Sequence, residues 1–217
     1  MKENSNKIIA IVALVVAVIA LAVGFATYTA TLTISSHDVT VGSDTFSPNV
    51  IYKAGTIDCS TVSTGATVVS AGSFTDNATW GGVEISLAEP GDYATCTATV
   101  INNSTFIAYL YELKTASALT CESKATSDNP ATTGVSDACA GMELSVTHGT
   151  TSITADSTTA GQAGGASGTA ITGNSIAASG GEKTVSFTVT YKAGSEKANG
   201  DFLVHIPQIS MIYKTED

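Results

Sequence analysis

Four cysteines and three histidines are the residues of this chain whose types could carry bond-making or metal chemistry. Cys59, Cys96, Cys121 and Cys139 are widely spaced, with no C-x₂₋₄-C pair of the kind a zinc site uses. An even number of such cysteines suits two disulfides in an oxidising compartment, and three connectivities are open. Cys121 and Cys139 flank one polar stretch, so their pairing is favoured, which leaves Cys59 for Cys96. His37, His148 and His205 have no acidic or histidine partner at helical metal-ligand spacing, and no H-E-x-x-H occurs. A G-x-S-x-G elbow is also missing, and the Gly-Gly pairs lack the lysine of a phosphate loop. The expectation is therefore a protein without catalytic residues, cofactor or metal. Asn77-Ala78-Thr79 and Asn103-Ser104-Thr105 match the glycosylation sequon, a pattern short enough to recur by chance.

The elements that must hold these residues read as strands. Val83, Ile85 and Leu87 alternate with polar residues, the period-2 mark of a strand with one buried face. Glu89-Pro90-Gly91-Asp92 suits a type II turn, with proline at its second position and glycine supplying positive φ at its third. Ala94, Cys96, Ala98 and Val100 then alternate with threonines, Asn102–Thr105 forms a second turn, and Phe106–Leu113 is apolar on both faces. Three consecutive strands of this kind are expected to form an antiparallel meander with the last lying centrally. Further strands are expected at Thr31–Ser35, Val39–Val41, Val50–Tyr52, Thr67–Ser70, Leu119–Cys121, Met142–Val146 and Thr184–Tyr191. Two more, Asp201–Ile206 and Gln208–Lys214, are interrupted by Pro207. Ser73–Gly82, with the single tryptophan Trp80, and Thr115–Gly141 read as loops. Ala155–Gly181 is so rich in Gly, Ala, Ser and Thr that it is expected to be a long mobile loop. The fold class is all-β, an antiparallel sandwich of jelly-roll or immunoglobulin-like kind, preceded by one N-terminal hydrophobic helix.

That helix is expected at Ile8–Ala26, which carries no charge and would be about 28 Å long, close to a bilayer's hydrocarbon thickness. Lys2 and Lys7 precede it and orient the remainder outwards. Secretory h-regions usually run roughly 7–15 residues, shorter than this one, yet Gly24, Ala26 and Ala30 offer sites for cleavage. Both readings stay open: residues 1–30 as a signal peptide, or as an anchor that holds the chain in the membrane through Ile8–Ala26. Residues 31–217 form the exported domain, with the low-complexity stretch at 155–181. The formal charge is −10 and every basic residue is lysine, a balance that excludes nucleic acid as a partner.

The leader ending in GFATYTATLTIS resembles those of the TasA/camelysin family, exported matrix proteins of Gram-positive bacteria. EPGDYATCTATVINNSTFIAYL is similar to that family's P-G-D turn, Thr/Val-rich strand, Asn turn and following apolar strand. The closing FTVTYKAG and GDFLVHIPQISMIYK also look like its final strands. The resemblance implies a sandwich that self-associates into extracellular fibres or biofilm matrix. The metallopeptidase label that some relatives carry has no zinc motif here to rest on, and the cysteines depart from the pattern. No L-P-x-T-G signal follows Tyr213, which counts against sortase anchoring. Fibre-forming relatives are associated with strand donation. Thr31, Leu32, Thr33 and Ile34, with Leu32 and Ile34 on one face, are the expected donor strand; the alternative is that they pair within their own domain. Other readings are a membrane-anchored monomeric adhesin or binding module, a pilin-like filament subunit and a secreted hydrolase. Phe74 and Trp80 are the main aromatics that the expected loops offer to a ligand, although for Trp80 a place in the sandwich core is the favoured reading.

Overall fold

The computed structural model describes residues 29–35, 49–61, 65–75, 79–87, 89–123, 133–165, 169–199 and 202–215. The expected helix Ile8–Ala26 and the strand Val39–Val41 lie outside the described residues. Among the described residues no helix is long and apolar enough to cross a membrane.

Fifteen strands and one short helix follow one another along the described residues, and the class is all-β. They are β1 (Thr29–Ser35), β2 (Val50–Tyr52), β3 (Asp58–Thr61), β4 (Ala66–Thr75) and β5 (Thr79–Leu87). Next come β6 (Tyr93–Asn102), β7 (Ala108–Thr115), β8 (Thr120–Ser123), α1 (Val135–Ala140), β9 (Met142–His148) and β10 (Thr151–Asp156). The chain continues through β11 (Gln162–Gly164), β12 (Ser175–Ile176), β13 (Gly181–Tyr191), β14 (Phe202–His205) and β15 (Ile209–Lys214). One sheet runs β11-β7-β15-β1-β5-β4, with β12 also on β7. The second runs β10-β9-β13-β6-β2, with β3 also on β6, and β8 pairs with β14 apart from both.

Period-2 alternation makes each main strand two-faced. On β6 every second residue is buried, from Ala94 through Cys96, Ala98 and Val100 to Asn102. The same holds on β13 for Val185, Phe187, Val189 and Tyr191, and on β15 for Ile209, Met211 and Tyr213. These faces share one core. Trp80 of the first sheet meets Phe187 of the second with ring centroids 5.1 Å apart. Tyr52 of β2 stacks on Phe74 of β4 at 4.8 Å, and Trp80 sits edge-on to both.

Three expectations are corrected here. The run β5-β6-β7 is no meander, because β6 lies in the other sheet from β5 and β7. Alternation specifies a buried face but not a neighbour, so the pattern fits a chain that changes layer at each turn. The first turn has the expected form: Gly91 has φ +105° and the Asp92 amide donates to the Glu89 carbonyl at 3.0 Å. At the second, the buried Asn102 carboxamide donates to the carbonyls of Phe106, Ile176 and Ala177, and its oxygen accepts from Ser104 N–H and Oγ. Trp80 and Phe74 are not loop residues. They sit in strands β5 and β4, where the indole N–H donates to the Ala71 carbonyl at 3.0 Å.

The stretch from Ala155 to Gly181 is not a free loop either. Its described residues supply β11 and β12 to the edge of β7, and Leu110 N–H donates to Asn174 C=O while Ile171 N–H donates to Leu110 C=O. Gly161 N–H donates to Thr115 Oγ1, and a Cβ on Gly161 would lie 2.7 Å from the Thr154 carbonyl. Small residues cannot build a core, but they let backbone approach backbone and satisfy an open sheet edge.

Trp80 joins the aromatic contacts of both layers, so Trp80→Ala is expected to cost about 3–5 kcal/mol in urea denaturation. Val69→Ala, at an exposed position on β4, should stay within about 0.5 kcal/mol. Equal losses for the two variants would contradict the shared core.

Candidate functional site

The expected donor segment is a strand of its own chain. β1 pairs antiparallel with β15 from Thr29↔Lys214 to Ile34↔Ile209, including Thr31↔Ile212, Leu32↔Met211 and Thr33↔Ser210. On its other side β1 runs parallel to β5 over Thr33↔Thr79, Ile34↔Trp80 and Ser35↔Gly81. It begins at Thr29, two residues before the expected boundary. Ala30, Leu32 and Ile34 stand opposite the three buried residues of β15, Tyr213, Met211 and Ile209. β15 and β5 have no pairing with each other. β1 therefore fills a slot whose two walls would otherwise each present a row of unpaired N–H and C=O groups.

The cysteines form the two expected pairs. Cys59 on β3 is bonded to Cys96 on β6, its direct register partner, with Cα atoms 4.0 Å apart. Cys121 on β8 is bonded to Cys139 in α1, across 18 residues of chain. Two disulfides suit an oxidising environment. The first ties the exposed edge piece β3 to the centre of its sheet. The second holds α1 against the β8–β14 pair, which contributes the half-buried Phe202 to the core rim.

The histidines are separated. His37 lies outside the described residues. His205 on β14 is 3.2 Å from Glu122 on β8, a cross-strand pair at a half-exposed position. His148 is fully buried, with Nε2 2.5 Å from the Tyr213 hydroxyl. Burial lowers its pKa to about 4, with the Lys183 ammonium acting in the same direction. Burial also holds the phenols of Tyr213 and Tyr52 protonated, well above their usual range. A neutral imidazole against a protonated phenol offers neither an activated nucleophile nor a carboxylate to orient the ring. Among the described residues no group of three His, Cys, Asp or Glu side chains is placed to hold a metal ion. The arrangement is suited to holding strands together.

Sequence reading missed the Asn102 and Asn174 hubs. Asn102 was legible only as part of a turn, and Asn174 sits in the low-complexity stretch. There its Nδ2 donates to Thr150 and Thr151 hydroxyls and its Oδ1 accepts from Thr150 N–H. No protein-family model matches the chain, and no protein of curated function is significantly similar to it.

Replacing Cys121 and Cys139 together with serine should lower unfolding stability by about 3 kcal/mol in the chain-entropy estimate for a loop of this size. Denaturant titration with and without both cysteines checks this. An unchanged midpoint would mean that the bridge closes a loop already constrained in the unfolded chain.

Proposed function

We propose that this chain is an exported, non-catalytic structural protein whose subunits join by strand donation into fibres of the TasA/camelysin kind. The observation that carries the reading is the slot: the segment that follows the hydrophobic leader is the one strand bridging β15 and β5. In the monomer the chain fills its own slot. In a fibre, the β1 of one copy fills the slot of the next, with the same registers satisfied between subunits. Exchange of identical segments conserves the contacts, so it needs little net driving force beyond release of β1 from its own chain. The two sheets over one core fit a sandwich of jelly-roll or immunoglobulin-like kind, and the two disulfides fit a cell-surface or extracellular site. The partner is a second copy of the chain, with neither nucleic acid nor cofactor involved.

A membrane-anchored monomeric adhesin is the second reading, favoured by β1 pairing inside its own chain. If Ile8–Ala26 is retained, it tethers the chain to the membrane and β1 serves as the first strand above that tether. Intact mass of the native protein separates the cases by showing whether Met1–Ala26 is present.

Deleting Thr31–Ser36 tests donation directly. Filaments of the native protein should vanish under electron microscopy while far-UV circular dichroism keeps its strand signal. A synthetic peptide with the sequence of Thr29–Ser36 should bind the deleted chain and not the intact one. Filaments from the deleted chain, or no peptide binding together with no native filaments, would refute the reading.

A further inference from the structure

His148 is a buried titratable group to which the proposed function gives no role. It ends β9 in one sheet, and its ring reaches Tyr213 in the other, on the strand that forms one wall of the β1 slot. Tyr213 stands opposite Ala30 of β1 on one side and Leu110 of β7 on the other. The rings of His148 and Tyr213 meet edge-on at 5.6 Å, so the pair forms both a packing contact and a hydrogen bond between the layers. Nδ1 of His148 is buried and has no hydrogen-bond partner among the described residues.

The burial of the ring and the charge around it favour its neutral form. Tyr213 from β15 presents a hydroxyl to Nε2, and Tyr52 from β2 adds a second phenol beside Tyr213. From β13 the charged group is the Lys183 ammonium, which repels a cation. The Asn174 carboxamide and the backbone of His148 itself favour the cation, and burial outweighs both. No carboxylate contributes to the charge balance at the ring. A neutral imidazole bonded to Tyr213 leaves one uncharged nitrogen unpaired, whereas an imidazolium carries a full charge that water would solvate far better.

We propose that His148 is an acid-released latch on the β1 slot: a charged ring is driven out of its buried contact with Tyr213 into water, which loosens β15 and frees β1 for a neighbouring copy. The proposal rests on the strand-donation reading for its last step only. The latch itself is a property of the monomer. The pH window follows from linkage. In the closed state the ring titrates at about 4, and in an opened state it regains its ordinary 6.5. The closed form is therefore fully favoured above pH 6.5. The ratio of open to closed rises about tenfold per unit as pH falls below that, and levels off near pH 4. The whole span is 6.5 minus about 4, or roughly 300-fold.

Amide hydrogen exchange of the purified, disulfide-bonded chain between pH 7.5 and 4.5, corrected for intrinsic exchange, reads this opening. The opening constants of β1 and β15 amides should rise by about 70-fold across that range, while those of β6 and β13, which pair with each other in the second sheet, rise far less. His148→Phe and His148→Gln both remove the titrating group, the first keeping the packing and the second the polarity. In whichever variant folds, the pH response of β1 and β15 should disappear. A wild-type response equal in all strands, no response at all, or an undiminished response in the folded variants would overturn the latch. A latch that opens with acid in a protein that never forms filaments would count against strand donation alone.

Discussion

The first sheet is continuous only because β1 lies in it. On one side of β1 stand β15, β7 and the short strands β11 and β12; on the other stands the β4–β5 hairpin. The hairpin pairs with the rest of its sheet through three register positions of β1 alone, Thr33, Ile34 and Ser35. It also packs on the core, through Val83, Ile85 and Leu87 and through the ring contacts of Phe74 with Tyr52 and Trp80 with Phe187. Backbone hydrogen bonds left unpaired at two facing strand edges are costly when shielded from water, so the slot demands an occupant. That requirement says nothing about which copy of the chain supplies it.

The second sheet does not include β1. β6 and β13 pair over ten residues, from Gly181↔Asn102 to Thr190↔Tyr93, and β9 extends the ladder from the other side of β13. Cys59–Cys96 is fixed to this sheet and Asn102 ends β6. Two of the contacts that cross to the first sheet are the aromatic group around Trp80 and the His148–Tyr213 pair. One is apolar and indifferent to pH. The other titrates, which makes the two walls of the slot respond differently to acid.

The alternation of Ala94 to Val100 and of Val185 to Tyr191 made β6 and β13 legible as strands with one buried face, because a period of two has few other readings. The P-G-D turn was legible for the same reason, since proline and glycine there fix the backbone. Sheet membership was not legible. Nothing in Val83–Leu113 distinguishes a hairpin from a crossing between layers, and β5, β6 and β7 cross twice. Asp58–Thr61 and Thr151–Asp156 were missed because polar edge strands carry little apolar signal, and α1 because six residues show less than two turns of periodicity. The low-complexity stretch misled in the opposite direction. Its lack of large side chains was read as freedom, whereas its backbone is tied along β7. Of the candidate site, the cysteine pairs were accessible from spacing and the strand character of Thr31–Ile34 from alternation. The parallel partner β5 and the reach of His148 to Tyr213 depend on contacts between distant parts of the chain.

Cross-linking between separate chains tests occupancy of the slot most directly. Thr33 and Ser210 face each other across β1 and β15. One chain would carry Thr33→Cys and another Ser210→Cys, and the two would be mixed, assembled and then oxidised. Strand donation predicts a covalent heterodimer formed in the assembled material, reduced by competition with the Thr29–Ser36 peptide. Neither chain can form this bond within itself. Assembly without the heterodimer would contradict the account, because it would leave every β1 in the slot of its own chain.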